Sequence, residues 1–171
     1  MSDDGISVPV GLTTEGLLGR RYLARCIDSV IIVILMGISV GILGALLSAS
    51  AADRAGFVWI PMLVLLGWIG YGSVLESSKW QATLGKRIVG LRVYTVDGGR
   101  VRLLQAAGRA LVKDGPFILF AILPGAQLLS LLWLVAHLVV LHRSPVYQAI
   151  HDRVAHTWVA APESSIQLRL N

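Results

Sequence analysis

Long apolar segments, separated by shorter polar ones, dominate the pattern along this chain. Residues 26–47 contain a single charged residue, Asp28, and residues 57–75 contain none. Since about 20 apolar residues in a helix cross roughly 30 Å of hydrocarbon, both segments are long enough to span a membrane. A cleaved signal peptide is the alternative for the first segment, but its apolar run exceeds the roughly 7–15 residues of a signal core. The pattern therefore predicts two transmembrane helices, at 26–47 and 57–75.

The second half of the chain contains an apolar run at residues 117–141, which has no Asp, Glu, Lys or Arg but is interrupted by Pro-Gly at 124–125. As one kinked helix, this run is a third span. As two helices, at 103–123 and 126–141, it forms a hairpin that turns at the proline and brings the total to four spans. Three crossings and four both stay open, and the charges described below favour four.

A polar segment at residues 76–102 lies between the second and third predicted helices. Residues 88–96 are rich in β-branched side chains, and the Asp-Gly-Gly sequence at 97–99 suits a hairpin turn. The segment is therefore predicted to form a short two-stranded β-ribbon.

The composition supports a membrane protein. Of the 171 residues, 55% are hydrophobic and only 15% are charged, and the mean hydropathy is +0.71. Soluble domains are about one-quarter charged, so this chain has too few polar side chains to cover its surface unless lipid solvates part of it. The predicted fold class is an all-α integral membrane protein, a small bundle of three or four transmembrane helices with a short cytoplasmic β-ribbon between helices 2 and 3.

Basic residues are distributed unevenly around the apolar segments. Eight of the fifteen follow the second segment and three precede the first, whereas the loop at 48–56 has only Arg54. The positive-inside rule places the N-terminus and the middle segment in the cytoplasm, and three arginines in the tail favour the same side for the C-terminus. We expect a multi-pass protein of a bacterial-type inner membrane, with a polar segment at 1–19, a membrane domain at 20–160 and a tail at 161–171. Membrane lipids then explain the basic residues, and no nucleic acid is needed.

Three charged residues follow one face of the first predicted helix. Arg21, Arg25 and Asp28 are spaced by four and then three residues, which aligns them on a single stripe. An ionised carboxylate in lipid is costly, so Asp28 should face the protein interior, either paired or protonated. Two roles are open: Asp28 pairs with Arg25 and joins helix to helix, or it is a site for a proton or a cation.

The opposite face of the same helix carries three glycines, Gly37, Gly41 and Gly44. Small residues at this spacing let two helices approach closely. The face is therefore predicted to pack against glycines of the second predicted helix, such as Gly67 and Gly70, or against a second copy. Because four helices leave little room for a sealed pathway, a transporter of this size is expected to be a homo-oligomer.

The tail clusters three of the four histidines around Asp152, but no pair of them has the spacing of a zinc helix. His137, inside the last apolar run, is predicted to form a hydrogen bond between helices. With one cysteine, Cys26, the chain has no internal disulfide or cysteine-based metal cluster. We expect no metal and no cofactor, and the sequence contains no enzyme signature such as a nucleophile elbow.

Three stretches carry a resemblance to a known family: "RRYLARCID", "ESSKWQATLGKRIVGLRV" and "HDRVAHT". On these stretches the chain resembles the RDD family of small membrane proteins, over about residues 18–160. The Gln-Ala-Thr-Leu-Gly-Lys-Arg run in the middle stretch is the most specific part. The family's arginine and first aspartate match Arg21, or its neighbour Arg20, and Asp28, and the second aspartate matches Asp152.

The resemblance implies an integral membrane protein. Transport of an unidentified ligand has been proposed for the family, and some members are associated with sodium/proton exchange. A charge site near the cytoplasmic interface would then transport a monovalent cation or a small solute, with Asp28 exchanging a proton for a cation. The alternative is a non-transporting scaffold or assembly factor whose basic ribbon docks a protein or anionic lipid. The candidate residues of the charge site are Arg21, Arg25, Asp28 and Asp152, supported by Glu76, Lys86, Arg87 and His151.

Overall fold

The computed structural model describes residues 10–46, 66–122, 127–144 and 146–162. The described part is mostly helical, with a small three-stranded sheet. In chain order the elements are β1 (Leu12–Thr13), α1 (Leu18–Leu46), α2 (described over residues 66–77), α3 (Leu84–Ile88), β2 (Arg92–Thr95), α4 (Leu103–Ile122), α5 (Gln127–Arg143), α6 (Ile150–Val154) and β3 (Thr157–Pro162).

Helix α1 is the one described helix that is both long enough and apolar enough to cross a membrane. Its side chains are largely uncovered: Val33 is 65% exposed, and Ile34 and Ile38 are more than half exposed. Helix α5 is shorter, and several of its leucines are exposed in the same way. Such broad apolar surfaces are typical of contact with lipid or with another protein. The transmembrane bundle as a whole stays a prediction, and residues 57–65 of the second predicted span lie outside the described residues.

Helices α4 and α5 take the place of the interrupted apolar run. They are separate helices that pack against each other. This packing agrees with the predicted helical hairpin, whereas a single kinked helix would not pack against itself in this way. Their ends lie within two residues of the predicted segments 103–123 and 126–141. The Pro-Gly turn itself lies outside the described residues.

The predicted two-stranded ribbon is wrong. Strand β2 pairs antiparallel with β3, and β3 also pairs with β1, so the order in the sheet is β1-β3-β2. After the turn at 97–99 the chain makes only one isolated bridge back, between Tyr94 and Arg100. The reason is that α4 begins at Leu103, which leaves too short a segment for a second strand, whereas β3 offers a buried apolar edge around Trp158.

A small hydrophobic core lies between this sheet and the first turns of α1 and α4. Leu17, Leu91, Val93 and Val159 are almost fully buried within it. The core holds α3 against α1, and α6 packs on both α4 and β3. It therefore brings the middle and tail segments to the charged end of the long helices.

Candidate functional site

Asp28 is held by three neutral donors. The hydroxyl of Thr83 donates a hydrogen bond to Asp28 Oδ2 at 2.5 Å. The backbone N–H of Gly85 and the hydroxyl of Tyr71 both donate to Asp28 Oδ1 at 2.7 Å. Because Asp28 is only 5% exposed, these bonds replace the water that an isolated carboxylate would need.

The Gln-Ala-Thr-Leu-Gly-Lys run builds the part of this site that lies on α3. Thr83 is the N-cap residue of α3, and its hydroxyl also accepts from the backbone N–H of Lys86. A Cβ atom on Gly85 would collide with the backbone oxygen of Ala24 and lie 2.8 Å from the carboxyl carbon of Asp28. Only glycine therefore lets α3 approach α1 this closely.

The predicted pair between Asp28 and Arg25 is wrong. Arg25 instead forms an ion pair of 2.5 Å with Asp114 on α4, and its guanidinium lies 4.3 Å from the ring centre of Trp68. Lys113 lies 3.3 Å from the other oxygen of Asp114. The stripe on α1 therefore faces several elements at once, since Arg25 points to α4 while Asp28 points to α2 and α3.

Five other charged residues form a buried ion cluster next to Asp28. Arg109 of α4 is at its centre and contacts two carboxylates, Asp152 of α6 through Nε at 2.9 Å and Glu76 of α2 through Nη1 at 2.6 Å. Asp152 also pairs with Arg21 at 2.6 Å, and Glu76 pairs with Lys86. The cluster therefore ties α1, α2, α3, α4 and α6 together.

Asp152 has no exposed surface, and its hydrogen-bonding capacity is used. Besides the two arginines, it accepts from the backbone N–H of Ala149 at 3.2 Å, which caps α6. Burial alone would raise the pKa of Asp152, but Arg109 and Arg21 hold it well below its ordinary value. Asp152 therefore stays ionised and serves as a fixed anchor for two arginines.

The second carboxylate of the buried ion cluster is held in the same way. Burial would raise the pKa of Glu76, but Arg109 and Lys86 hold it well below its usual range. Burial lowers the pKa of Lys86 to about 8, although Glu76 opposes that shift. Near neutral pH the pair is therefore still charged on both sides.

Two histidines join α5 to α6 beside the buried ion cluster. His137 Nε2 lies 3.0 Å from His151 Nδ1, which confirms the predicted hydrogen bond from the last apolar helix. His151 Nε2 is 3.4 Å from Asp152. Burial lowers the pKa of His151 well below its ordinary value even though Asp152 opposes this shift, so the ring is neutral at pH 7.

A cavity of about 190 Å³ opens between these elements. Three residues of the predicted charge site, Arg21, Arg25 and Asp28, contribute to its wall, and Tyr71 and Trp68 of α2 also line it. The volume is below the roughly 300–1,000 Å³ of pockets for drug-sized molecules, so it suits a ligand of few atoms. Its cationic lining residues are Arg21, Arg25, Lys86, Arg109 and Lys113.

The predicted site residues are brought together only in part. Arg21 forms an ion pair with Asp152, and the match of the family's arginine to Arg21 or Arg20 stays a prediction. Asp28 lines the same cavity as Arg21, but it accepts its hydrogen bonds from Tyr71, Thr83 and Gly85 and forms none with Arg21. Arg87 does not join the site, because it is exposed and stacks over Trp80 at 4.3 Å.

The glycine face of α1 is unpacked within the described part of the chain. A Cβ atom placed on Gly37, Gly41 or Gly44 would meet no described atom within 4 Å beyond its own stretch of helix, and the same holds for Gly67 and Gly70. The predicted packing between these two glycine faces is therefore not observed. Packing of the α1 face against a second copy stays a prediction.

Sequence reasoning missed several residues that complete the site. Arg109 and Asp114 carried a usable signal, since charges inside an apolar helix are costly and call for partners. Thr83 and Gly85 were part of the most specific motif, but nothing in that motif pointed to Asp28. Tyr71 had no signal, because a tyrosine in an apolar segment is common without any such role.

Comparison with known proteins agrees with this geometry. The sequence profile of the RDD family matches residues 16–156, a range that includes Arg21, Asp28 and Asp152. The chain is similar to Uncharacterized protein YxaI of Bacillus subtilis (strain 168), with 30% identity over 104 residues that cover 52% of this chain and 69% of that protein. No solved structure matches it. Since the family profile covers most of the sequence, this chain belongs to the RDD family.

Proposed function

We propose that this RDD protein is a multi-pass carrier of the inner membrane that moves a small charged solute or ion through the cavity beside Asp28. The observation that carries the proposal is the cavity itself, which lies among charged side chains at the end of the apolar helices and includes Arg21 and Asp28 in its wall. Charged residues that line a cavity at this position are costly in a purely structural membrane helix bundle, so their presence favours a role in binding a solute.

The membrane arrangement of this proposal is four crossings with both termini in the cytoplasm. It is supported by the exposed apolar side chains of α1 and α5 and by the packing of α4 against α5. The basic residues concentrate at one end of these helices, which the positive-inside rule assigns to the cytoplasm. The cavity then opens near the cytoplasmic surface.

Asp28 is the group through which a solute would act on the protein. Its three donors come from α2 and α3, so its carboxylate ties α1 to both elements. A proton or a ligand that engages Asp28 competes with these donors and would loosen α3 from α1. Asp152, which lies behind the wall and is anchored by two arginines, would keep its place.

A homo-oligomer is part of the proposal. The glycines of α1 form an unpartnered face in the described part of the chain, and they permit close approach of a second helix. Four helices are too few to enclose a complete pathway with this site, so a second copy would supply the missing wall.

The second candidate function is a scaffold that docks anionic lipid or a protein. Arg92, Arg100 and Arg102 are exposed on and beside the sheet, where they suit contact with lipid headgroups. In this alternative the buried ion cluster only holds the helices together, and the cavity has no transported ligand.

The test is ion flux into vesicles that contain the purified full-length protein. Internal pH is followed after a sodium, potassium or phosphate gradient is imposed, with the parent compared to Asp28→Asn. We expect flux in the parent and at least a tenfold lower rate in Asp28→Asn, because the variant loses the charge in the cavity wall. The matched control is Asp97→Asn, which makes the same chemical change in an exposed turn and should leave the rate unchanged.

Two results would contradict the carrier. One is the absence of flux in the parent on all three gradients, which would favour the scaffold. The other is full flux in Asp28→Asn, which would exclude a role for this carboxylate in transport. Unfolding midpoints of both variants are measured alongside, so that loss of flux is not confused with loss of the fold.

A further inference from the structure

The charges around the cavity are arranged in two layers. Five cationic side chains line the wall: Arg21, Arg25, Lys86, Arg109 and Lys113. The carboxylates that pair with them, Glu76, Asp114 and Asp152, are not among the lining residues. Each ion pair therefore contributes its cationic residue, and not its carboxylate, to the lining of the cavity.

The positive charges outnumber the carboxylates that neutralise them. Three paired carboxylates face five cations, and Asp28, the one carboxylate in the wall, reduces the remaining excess from two to one. In a partly buried site an uncompensated positive charge is unfavourable unless an anion or water approaches it. The wall is therefore electrostatically suited to an anion.

Two cations of the wall have donor capacity left for a ligand. Arg25 uses one guanidinium nitrogen for Asp114 among the hydrogen bonds of the described residues, and the ring of Trp68 supports its plane at 4.3 Å. Lys113 contacts Asp114 only at 3.3 Å, and its side chain is partly exposed. A guanidinium and an ammonium group on one wall are typical donors to phosphate and carboxylate oxygens.

A bare cation fits this wall less well. Asp28 is already surrounded by donors, since Tyr71, Thr83 and Gly85 all direct hydrogens at its two oxygens. A monovalent or divalent cation would have to displace them and approach past several like charges. An anion meets neither obstacle at the arginine and lysine side chains of the wall, because their charges attract it.

We infer that the cavity binds a small oxyanion, a phosphate or carboxylate group, between Arg25 and Lys113. This inference rests on the proposed function in taking the cavity as the solute site, and it names the chemical class of the solute. The group could belong to a free anion or to the headgroup of an anionic lipid, because both present the same oxygens.

The experiment measures binding of labelled inorganic phosphate to the full-length protein in uncharged detergent by equilibrium dialysis. We expect saturable binding by the parent. In Arg25→Gln and in Lys113→Gln the dissociation constant should be about tenfold larger, because each change removes one charge-assisted contact. Each variant leaves Asp114 one cationic neighbour, so the fold should persist, and its unfolding midpoint is checked. Arg102→Gln, an exposed arginine outside the cavity, is the matched control and should bind as the parent does.

The source of the oxyanion is separated by repeating the measurement in nanodiscs. If nanodiscs with phosphatidylglycerol abolish phosphate binding while phosphatidylcholine nanodiscs retain it, the natural occupant is a lipid phosphate. If both retain it, the occupant is a free anion. Absence of saturable binding in the parent, or parent-like affinity in both cavity variants, would overturn the inference.

Failure of this inference and failure of the carrier can be told apart. Phosphate binding without flux on any gradient would support the oxyanion site and contradict transport. Flux that depends on Asp28, in a parent that does not bind phosphate, would support the carrier and contradict the oxyanion site.

Discussion

Asp28 and Asp152, the two aspartates predicted to match the family's pattern, are both buried but are stabilised in opposite ways. Asp152 is surrounded by cationic partners, Arg21 and Arg109, in addition to a backbone N–H. Asp28 is surrounded by neutral donors, two hydroxyls and one backbone N–H. Asp152 lies behind the cavity wall, whereas Asp28 is part of it.

This difference indicates a division of roles. A carboxylate between two arginines cannot be neutralised without leaving buried positive charge, so Asp152 is suited to holding elements together. A carboxylate held by neutral donors can exchange a hydrogen bond with a ligand or a proton at lower cost. We therefore assign the buried ion cluster the role of a frame, and in the proposed function the Asp28 site is the part that responds to a ligand.

Acid should have the largest effect on the frame, because it neutralises both carboxylates of the buried ion cluster. The pKa values of Glu76 and Asp152 are lowered in the folded protein, whereas unfolded Glu and Asp titrate at about 4.3 and 3.9. Their contribution to stability is therefore complete above about pH 5 and is lost as the pH falls towards the folded-state values. We expect the unfolding midpoint in detergent to decline gradually below about pH 6.5, because His151 gains a proton only in the unfolded chain. Below about pH 4 it should drop steeply, as the two carboxylates are neutralised. A midpoint that persists unchanged at pH 3 would contradict a stabilising role for these charges.

Replacing one aspartate at a time tests the comparison directly. Asp152→Asn leaves Arg21 and Arg109 buried without this carboxylate and should cost about 3–5 kcal/mol in the free energy of unfolding. Asp28→Asn weakens three hydrogen bonds from neutral donors and should cost less, about 1–3 kcal/mol. Denaturant unfolding of both variants, with Asp97→Asn as the exposed control, measures the two values. If Asp28→Asn lowers the free energy of unfolding as much as Asp152→Asn or more, the proposed distinction between the buried ion cluster and the Asp28 site is wrong. Asp152→Asn should also show a shallower loss of stability in acid than the parent.

The smallest effect is expected at the contact between α3 and α1. Gly85→Ala places a methyl group against the backbone oxygen of Ala24 and should cost about 1–3 kcal/mol by forcing the two elements apart. Gly108→Ala is the matched control, because Gly108 lies in α4 with open space around it and alanine favours a helix by about 1 kcal/mol. Thermal unfolding should therefore shift in opposite directions for the two variants. A neutral Gly85→Ala would show that α3 is free to move away from Asp28.

The helices were the part of the fold most open to prediction. The predicted segment at 103–123 corresponds to α4 and the segment at 126–141 to α5, with ends that differ by two residues or fewer. Length and apolarity are local properties, so they can be read without knowing what packs against them. Strand pairing is not local: β2 found its partner in β3, more than sixty residues later, and the hairpin expected from the 97–99 turn did not form.

The candidate site was predictable as a set of residues but not as a set of contacts. Spacing on α1 suggested that Arg25 pairs with Asp28 three residues away, yet Arg25 contacts Asp114, which is 89 residues distant. Helical spacing says only that two side chains share a face, and a better-placed partner on another helix outweighs such proximity. The same applies to Arg87, whose neighbour Lys86 joins the buried ion cluster while Arg87 itself points to Trp80.

By itself the sequence determined the apolar helices, the family and the few charges that had to be satisfied within them. Only the tertiary structure decided which charges meet: Arg21 with Asp152 across 131 positions of the chain, and Asp28 with the cap of α3. The physical reason is that helix formation depends on residues three and four positions apart, whereas the energy of a buried charge depends on every group packed around it.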